Sequence, residues 1–137
     1  MKILYFDLIA GISGDMTLSS LMHLGVPEAV VTQAVEAVIP GQVSFHVEVV
    51  KVHSISANST SIAPLQGAMA QLRHHADIVQ MIEESRLAPG VKRRALATFE
   101  VLAKGESTVH GVSPGAVHFH EVGAWDSIAD IVGVSAA

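Results

Sequence analysis

The sequence predicts an α+β domain, a small mixed sheet of about three strands packed with about four to five helices. Three observations predict it. Val43, Phe45, Val47 and Val49 alternate with Ser44, His46 and Glu48, the period of a half-buried strand. Several longer stretches carry apolar residues three and four apart, the period of a helix lying on a core. Gly and Pro punctuate the boundaries between these stretches.

Taken in order, Lys2 to Ile9 has strand character and opens the fold. Gly11-Ile12-Ser13-Gly14-Asp15 is a turn leading into a helix, with Ser13 the N-cap and Asp15 in the first turn, where a carboxylate complements the helix dipole. Leu18, Leu21 and Met22 give that helix its apolar stripe, and Gly25 ends it. Pro27 fits the start of a second helix, with Val30, Val31, Ala34, Val35 and Val38 facing inward. Pro40-Gly41 turns the chain into the strand at 43–49, and a weaker strand is expected within Lys51 to Ile62. Residues 54 to 72, rich in Ser, Ala and Gln with little periodicity, read as a mobile connection. Asp77 can cap a helix that uses Ile78, Met81 and Ile82. Pro89 to about Val109 reads as a longer helix through Val91, Ala95, Phe99 and Leu102; Gly105 weakens it by about 1 kcal/mol relative to Ala. Ile131 to Ala137 reads as the middle of an apolar helix with no stop signal. Residues 1–137 are therefore expected to form a single domain, a fragment of a longer protein; the family likeness given below implies that it is the N-terminal part. There are no internal repeats.

Composition excludes several function classes. With 137 residues, half of them apolar and 15% charged, the chain is long enough for a core and is not disordered as a whole. The formal charge is −5 and the main basic cluster, Lys92-Arg93-Arg94, falls within a helical pattern, which argues against a nucleic-acid-binding face. No cysteine is present, so neither disulfides nor thiolate chemistry are available, a usage that suits the cytoplasm. The apolar runs are too short to span a bilayer, and no membrane partner is expected.

The chemistry concentrates near the C-terminus. His118-Phe119-His120-Glu121 is followed closely by Asp126 and Asp130. An extended backbone at 117–120 would point His118 and His120 to one face and Phe119 to the other. Asp126 and Asp130, four apart, share a face if a helix starts there. Imidazole suits Ni(II) and Zn(II), carboxylates also suit Mg(II) and Mn(II), and an aspartate can orient an imidazole as well as bind directly. His118, His120, Glu121, Asp126 and Asp130 are thus the candidate metal ligands. Against this, a short HxHE is more often surface decoration, with Asp126 an N-cap and Asp130 facing solvent.

The turn at 11–15 admits two readings as well. Gly11, Ser13 and Gly14 at a strand-to-helix turn can offer backbone N–H groups to an anion such as a phosphate. Asp7 and Asp15 could instead hold a divalent ion that bridges to phosphate. The plainer reading is a tight turn in which the glycines satisfy backbone geometry. Of the other histidines, His46 lies on a polar strand face and His23 at a helix end. His110 and the pair His74-His75 are only accessory ligand candidates.

Two blocks of the sequence, in this order, carry a family likeness. YFDLIAGISGDM resembles the signature that opens the nickel-insertion proteins of nickel-pincer cofactor biosynthesis, the LarC family. VHGVSPGAVHFHEVGAWDSIADIVG resembles a second block of the same family, and HHADIVQMIEESRLAPGVKRRALATFEVLA resembles its connecting helices. The likeness covers nearly the whole chain. It implies insertion of nickel into a pyridinium dithiocarboxylic acid mononucleotide, with CTP and manganese or magnesium, to form the nickel-pincer nucleotide. It also implies a C-terminal portion of the same protein as partner, an oligomer, and an activity this part alone would not complete. On that footing the metal reading of His118, His120 and Glu121 outweighs decoration, and Asp7 and Asp15 become candidates to act on phosphate or a second ion. A different class is a non-catalytic metal-binding or scaffolding module that presents nickel to a partner domain; a third is a folding or oligomerisation unit without metal affinity. The chain departs from the family pattern in three places. Trp125 replaces a small or β-branched aliphatic, Gly105 replaces a helix former, and no His-rich tract fills the middle, where only His53, His74 and His75 stand.

Overall fold

The computed structural model describes residues 3–9, 11–65, 73–119 and 122–137. Five helices among these residues enclose one apolar core: α1 (Gly14–His23), α2 (Glu28–Val38), α3 (His75–Glu84), α4 (Pro89–His110) and α5 (Trp125–Ala136). Strands β1 (Val43–Val52) and β2 (Ile55–Pro64) form an antiparallel hairpin, and β3 (Arg73–His74) pairs with β4 (His118–Phe119) as a second, two-residue antiparallel ladder. The class is α+β, as expected. The strands form two separate antiparallel pairs in place of one mixed sheet.

Local chemistry explains most boundaries. The Ser13 hydroxyl accepts from the Met16 N–H at 3.4 Å and caps α1, as its position before the apolar stripe requires. Gly111, at φ 67°, ends α4 in the left-handed conformation that glycine adopts without penalty. His53 and Ser54 both take positive φ, the geometry of a two-residue turn whose twist matches that of the flanking strands.

Leu18, Val31, Ile78, Phe99, Phe119, Ile128 and Val132 are fully buried and join all five helices and β4 in one core. α5 runs through its middle because Gly133 has no side chain. A Cβ there would lie 2.9 Å from Val31 and 3.2 Å from Leu18, so α1 and α2 could not both close on it.

Four expectations change. Residues 3–8, within the strand expected over Lys2 to Ile9, form no ladder, and Ile3, Tyr5 and Ile9 are exposed. The weaker strand expected within Lys51 to Ile62 is β2, which pairs residue by residue with β1 over Ile55–Pro64 and takes the place there of the mobile connection read at 54–72. The low apolar content there reflects a strand fixed by its ladder and by a hydrogen bond from the Thr60 N–H to Ser19 Oγ, at 2.9 Å. Residues 66–72 lie outside the described residues. Val30 and Val49 are exposed, Val30 because it sits one position off the Val31-Ala34-Val35-Val38 stripe of α2, Val49 because it lies toward the free end of the hairpin. Finally, Asp77 is the third residue of α3 and not its N-cap; its carboxylate accepts from the His74 N–H at 3.1 Å.

Candidate metal and substrate site

The strand β4 is anchored by its alternation. Phe119 is fully buried against Phe99 and His75, so the preceding residue, His118, must face outward, and it is exposed. Directly opposite it in the ladder stands His74, also exposed. Their ring centroids are 3.6 Å apart at an interplanar angle of 48°. His74 was only an accessory candidate from the sequence, because a two-residue strand leaves no periodicity to read. His120 and Glu121 lie outside the described residues.

β3 is held in place by its first residue. The Arg73 guanidinium is buried, lies 3.3 Å from the Trp125 ring centroid and donates to the Gly123 carbonyl. Burial pulls it below its usual range, against the raising influence of Asp77. Nothing in the sequence singles out the arginine, and Trp125 stands out there only as a departure from the family pattern. Together they tie the His74–His118 ladder to the start of α5.

α5 begins at Trp125, so Asp126 and Asp130 do share a face one turn apart. Asp126 is the second residue of the helix, with its carboxylate accepting from the Ser127 N–H at 2.8 Å; the cap position belongs to Ala124. Asp130 presses on the N-terminus of α1. A Cβ on Gly14 would lie 2.3 Å from the Asp130 Cβ, so only glycine permits this approach. Asp130 Oδ1 is buried without a hydrogen-bond partner. Burial first, then the carboxylates of Asp15 and Asp126, push the Asp130 carboxyl up to about 6.

The turn at 11–15 lies between two clefts. Ser13, Gly14 and Asp130 line one of about 630 Å³, with Leu102, Ile131 and Val134 as its apolar wall. Asp7 and Asp15 line the other, of about 660 Å³, together with Tyr5, Ser19, Asn58 and Thr60. Gly11 takes φ 91°, a backbone conformation that favours glycine. The N–H groups of Met16 and Thr17 are already engaged, Met16 by Asp15 Oδ1 at 2.8 Å and Thr17 by the Ser13 carbonyl at 3.0 Å. The Ser13 hydroxyl also donates to the Asp15 carboxylate. A turn so occupied and surrounded by Asp15, Asp126 and Asp130 favours a cation over a bare anion.

Thus His118 meets His74, while Asp130 meets Asp15 and Asp126. Among the described residues, no three His, Asp or Glu side chains form a group that could hold one metal ion. No helix among them is long and apolar enough to cross a membrane.

Residues 4–137 match the family model described as nickel insertion protein. A relative from Geobacter sulfurreducens, named as a nickel insertion protein, is 48% identical over 137 residues, which is 100% of this chain and 35% of that protein. A Geobacter metallireducens relative of the same name is also 48% identical, with the same coverage. A Nocardioides protein named pyridinium-3,5-bisthiocarboxylic acid mononucleotide nickel insertion protein is 43% identical over 136 residues, 99% of this chain and 34% of its own length. The chain therefore spans about a third of the length of these relatives. No solved structure matches.

Proposed function

Because the chain belongs to the nickel insertion protein family, we propose that it acts as the N-terminal portion of an enzyme that places nickel into pyridinium-3,5-bisthiocarboxylic acid mononucleotide. Nickel is substrate here, a cargo to be received and released. His118, His120 and Glu121 receive it, while Asp126 and Asp130 stand with Asp15. Asp7 and Asp15 face the substrate phosphate through a second divalent ion, manganese or magnesium, and the turn of Gly11, Ser13 and Gly14 borders the same substrate. CTP belongs to the partner portion that the longer relatives carry.

The observation that carries this reading is the exposed imidazole of His118, held outward by a neighbour, Phe119, that is fully buried. An imidazole fixed in solvent by its own strand is pre-positioned as a donor at no cost in core packing. The acid-lined turn beside α5 supports the second part: carboxylates prefer hard cations, and a cation there would offset the repulsion that raises Asp130.

Nickel titration of the chain by calorimetry, wild type against His118→Ala/His120→Ala, tests the ligand assignment. Loss of nickel binding in the double variant is the expected outcome, and undiminished affinity overturns it. Mixing the chain with the remaining portion of a relative, CTP, nickel and the mononucleotide then separates two classes. Product formation supports the split enzyme. Stoichiometric nickel binding with no product under any mixing supports the metal-presenting module.

A further inference from the structure

We propose that His74 is a nickel ligand and that His74 and His118 form a two-imidazole chelate across the β3–β4 ladder. The inference rests on the nickel reading above and adds to it a residue that the sequence motif does not contain. Three observations carry it. The two residues are direct register partners, so both side chains leave the ladder on one face. Their rings are already in contact, with centroids 3.6 Å apart, and both are exposed, so a hydrated cation can reach them. The backbone beneath is fixed: Arg73 and Phe119, the neighbours on the ladder, are buried, and the His75 N–H donates to the Val117 carbonyl at 3.1 Å.

The geometry is compatible with a cation between the rings. With metal–nitrogen bonds of about 2.0–2.1 Å, two imidazoles at a tetrahedral or octahedral centre hold their centroids about 4.5–5 Å apart. The rings must open by about 1 Å, within reach of side-chain rotation on a fixed ladder. Imidazole nitrogen favours nickel, copper and zinc over magnesium or calcium, so the chelate is selective for borderline cations.

The arrangement also suits a cargo. A structural site closes four positions around its metal, whereas two cross-strand imidazoles leave the remaining positions open. The thiocarboxylate sulfurs of the substrate can approach those positions while the metal is still held, and the imidazoles can then let go. Among the described residues, no third ligand is grouped with the pair.

Nickel chloride titration and nickel X-ray absorption of wild type, His74→Asn, His74→Ala, His118→Ala and, as a control, the exposed His46→Ala test this. His74→Asn retains a residue favoured at a helix N-cap, which guards against loss of α3. Circular dichroism checks that each variant is folded. The expected result is one imidazole fewer bound to nickel in either His74 variant than in wild type. Affinity is expected to fall at least about tenfold, since even indirect support of a ligand is worth that much. His46→Ala should match wild type. If His118→Ala lowers affinity but both His74 variants bind as wild type does, the chelate is overturned while the nickel reading stands. If wild type binds nickel and neither His74 nor His118 matters, both the chelate and the assignment of His118 fail. If folded wild type binds no nickel, the chelate is likewise overturned.

Discussion

The His74–His118 ladder and the Asp15–Asp126–Asp130 junction lie at opposite ends of one device, the Arg73–Trp125 stack, yet they solve different problems. On the ladder, donors are exposed and the packing lies beneath them: Phe119 and Arg73 take the burial, and the imidazoles remain free to rotate and bind. At the junction Asp126 and Asp130 are themselves partly buried, and Asp130 is pressed against a backbone that only glycine can provide. The difference teaches which site can afford to lose its ion. An exposed imidazole pair is stable empty, whereas a crowded carboxylate cluster is strained until a proton or a cation relieves it. On the proposed reading, the exposed pair serves a cargo that passes through.

The largest effect is expected from breaking the junction sterically. Gly14→Ala places a methyl group 2.3 Å from the Asp130 Cβ, and overpacking of this kind costs about 1–3 kcal/mol. Urea unfolding measures it. Because the clash includes the Asp130 Cβ itself, adding Asp130→Ala should not restore stability. Full restoration would mean that the carboxylate, and not the close approach of α1 and α5, sets the requirement for glycine.

A smaller effect follows from charge. The Asp130 carboxyl is raised from 3.8 to about 6 in the folded state, so the folded protein holds this proton more tightly than the unfolded chain. Its contribution is fully present below about pH 4 and is lost as pH rises through about 6. Asp130→Asn should therefore stabilise the metal-free protein near pH 7 and give no gain near pH 3.5. Discounted for partial solvent exposure, the gain is about 1–2 kcal/mol. Thermal unfolding between about pH 3.5 and 8 reads the difference.

Much of this contrast was legible in the sequence, and the remainder was hidden for identifiable reasons. The α1 cap at Ser13, the helix at Pro89 and the four-residue spacing of Asp126 and Asp130 are local patterns, and local patterns can be read directly. The alternation around Phe119 likewise foretold an outward His118. His74 was not legible as its partner because a ladder of two residues has no period, and its pairing spans more than forty positions of chain. Gly14 was read for its own backbone, whereas its requirement comes from Asp130, a contact between helices distant in sequence. Residues 3–8 show the converse. Their strand pattern is real, but a strand exists only through the ladder it makes, and this segment makes none.

The smallest expected effect tests whether the two regions are independent at all. The Arg73 guanidinium lies against Trp125, the position where the family pattern has a small or β-branched residue. Trp125→Val removes the stacked face and should cost about 1 kcal/mol, the worth of such a contact, in thermal or urea unfolding. Arg73 keeps its hydrogen bond to the Gly123 carbonyl, which leaves β3 in register with β4. Nickel affinity should therefore match wild type while stability falls. If nickel affinity drops together with stability, the ladder depends on the start of α5 for its geometry, and imidazoles and carboxylates must be treated as one site built across the stack.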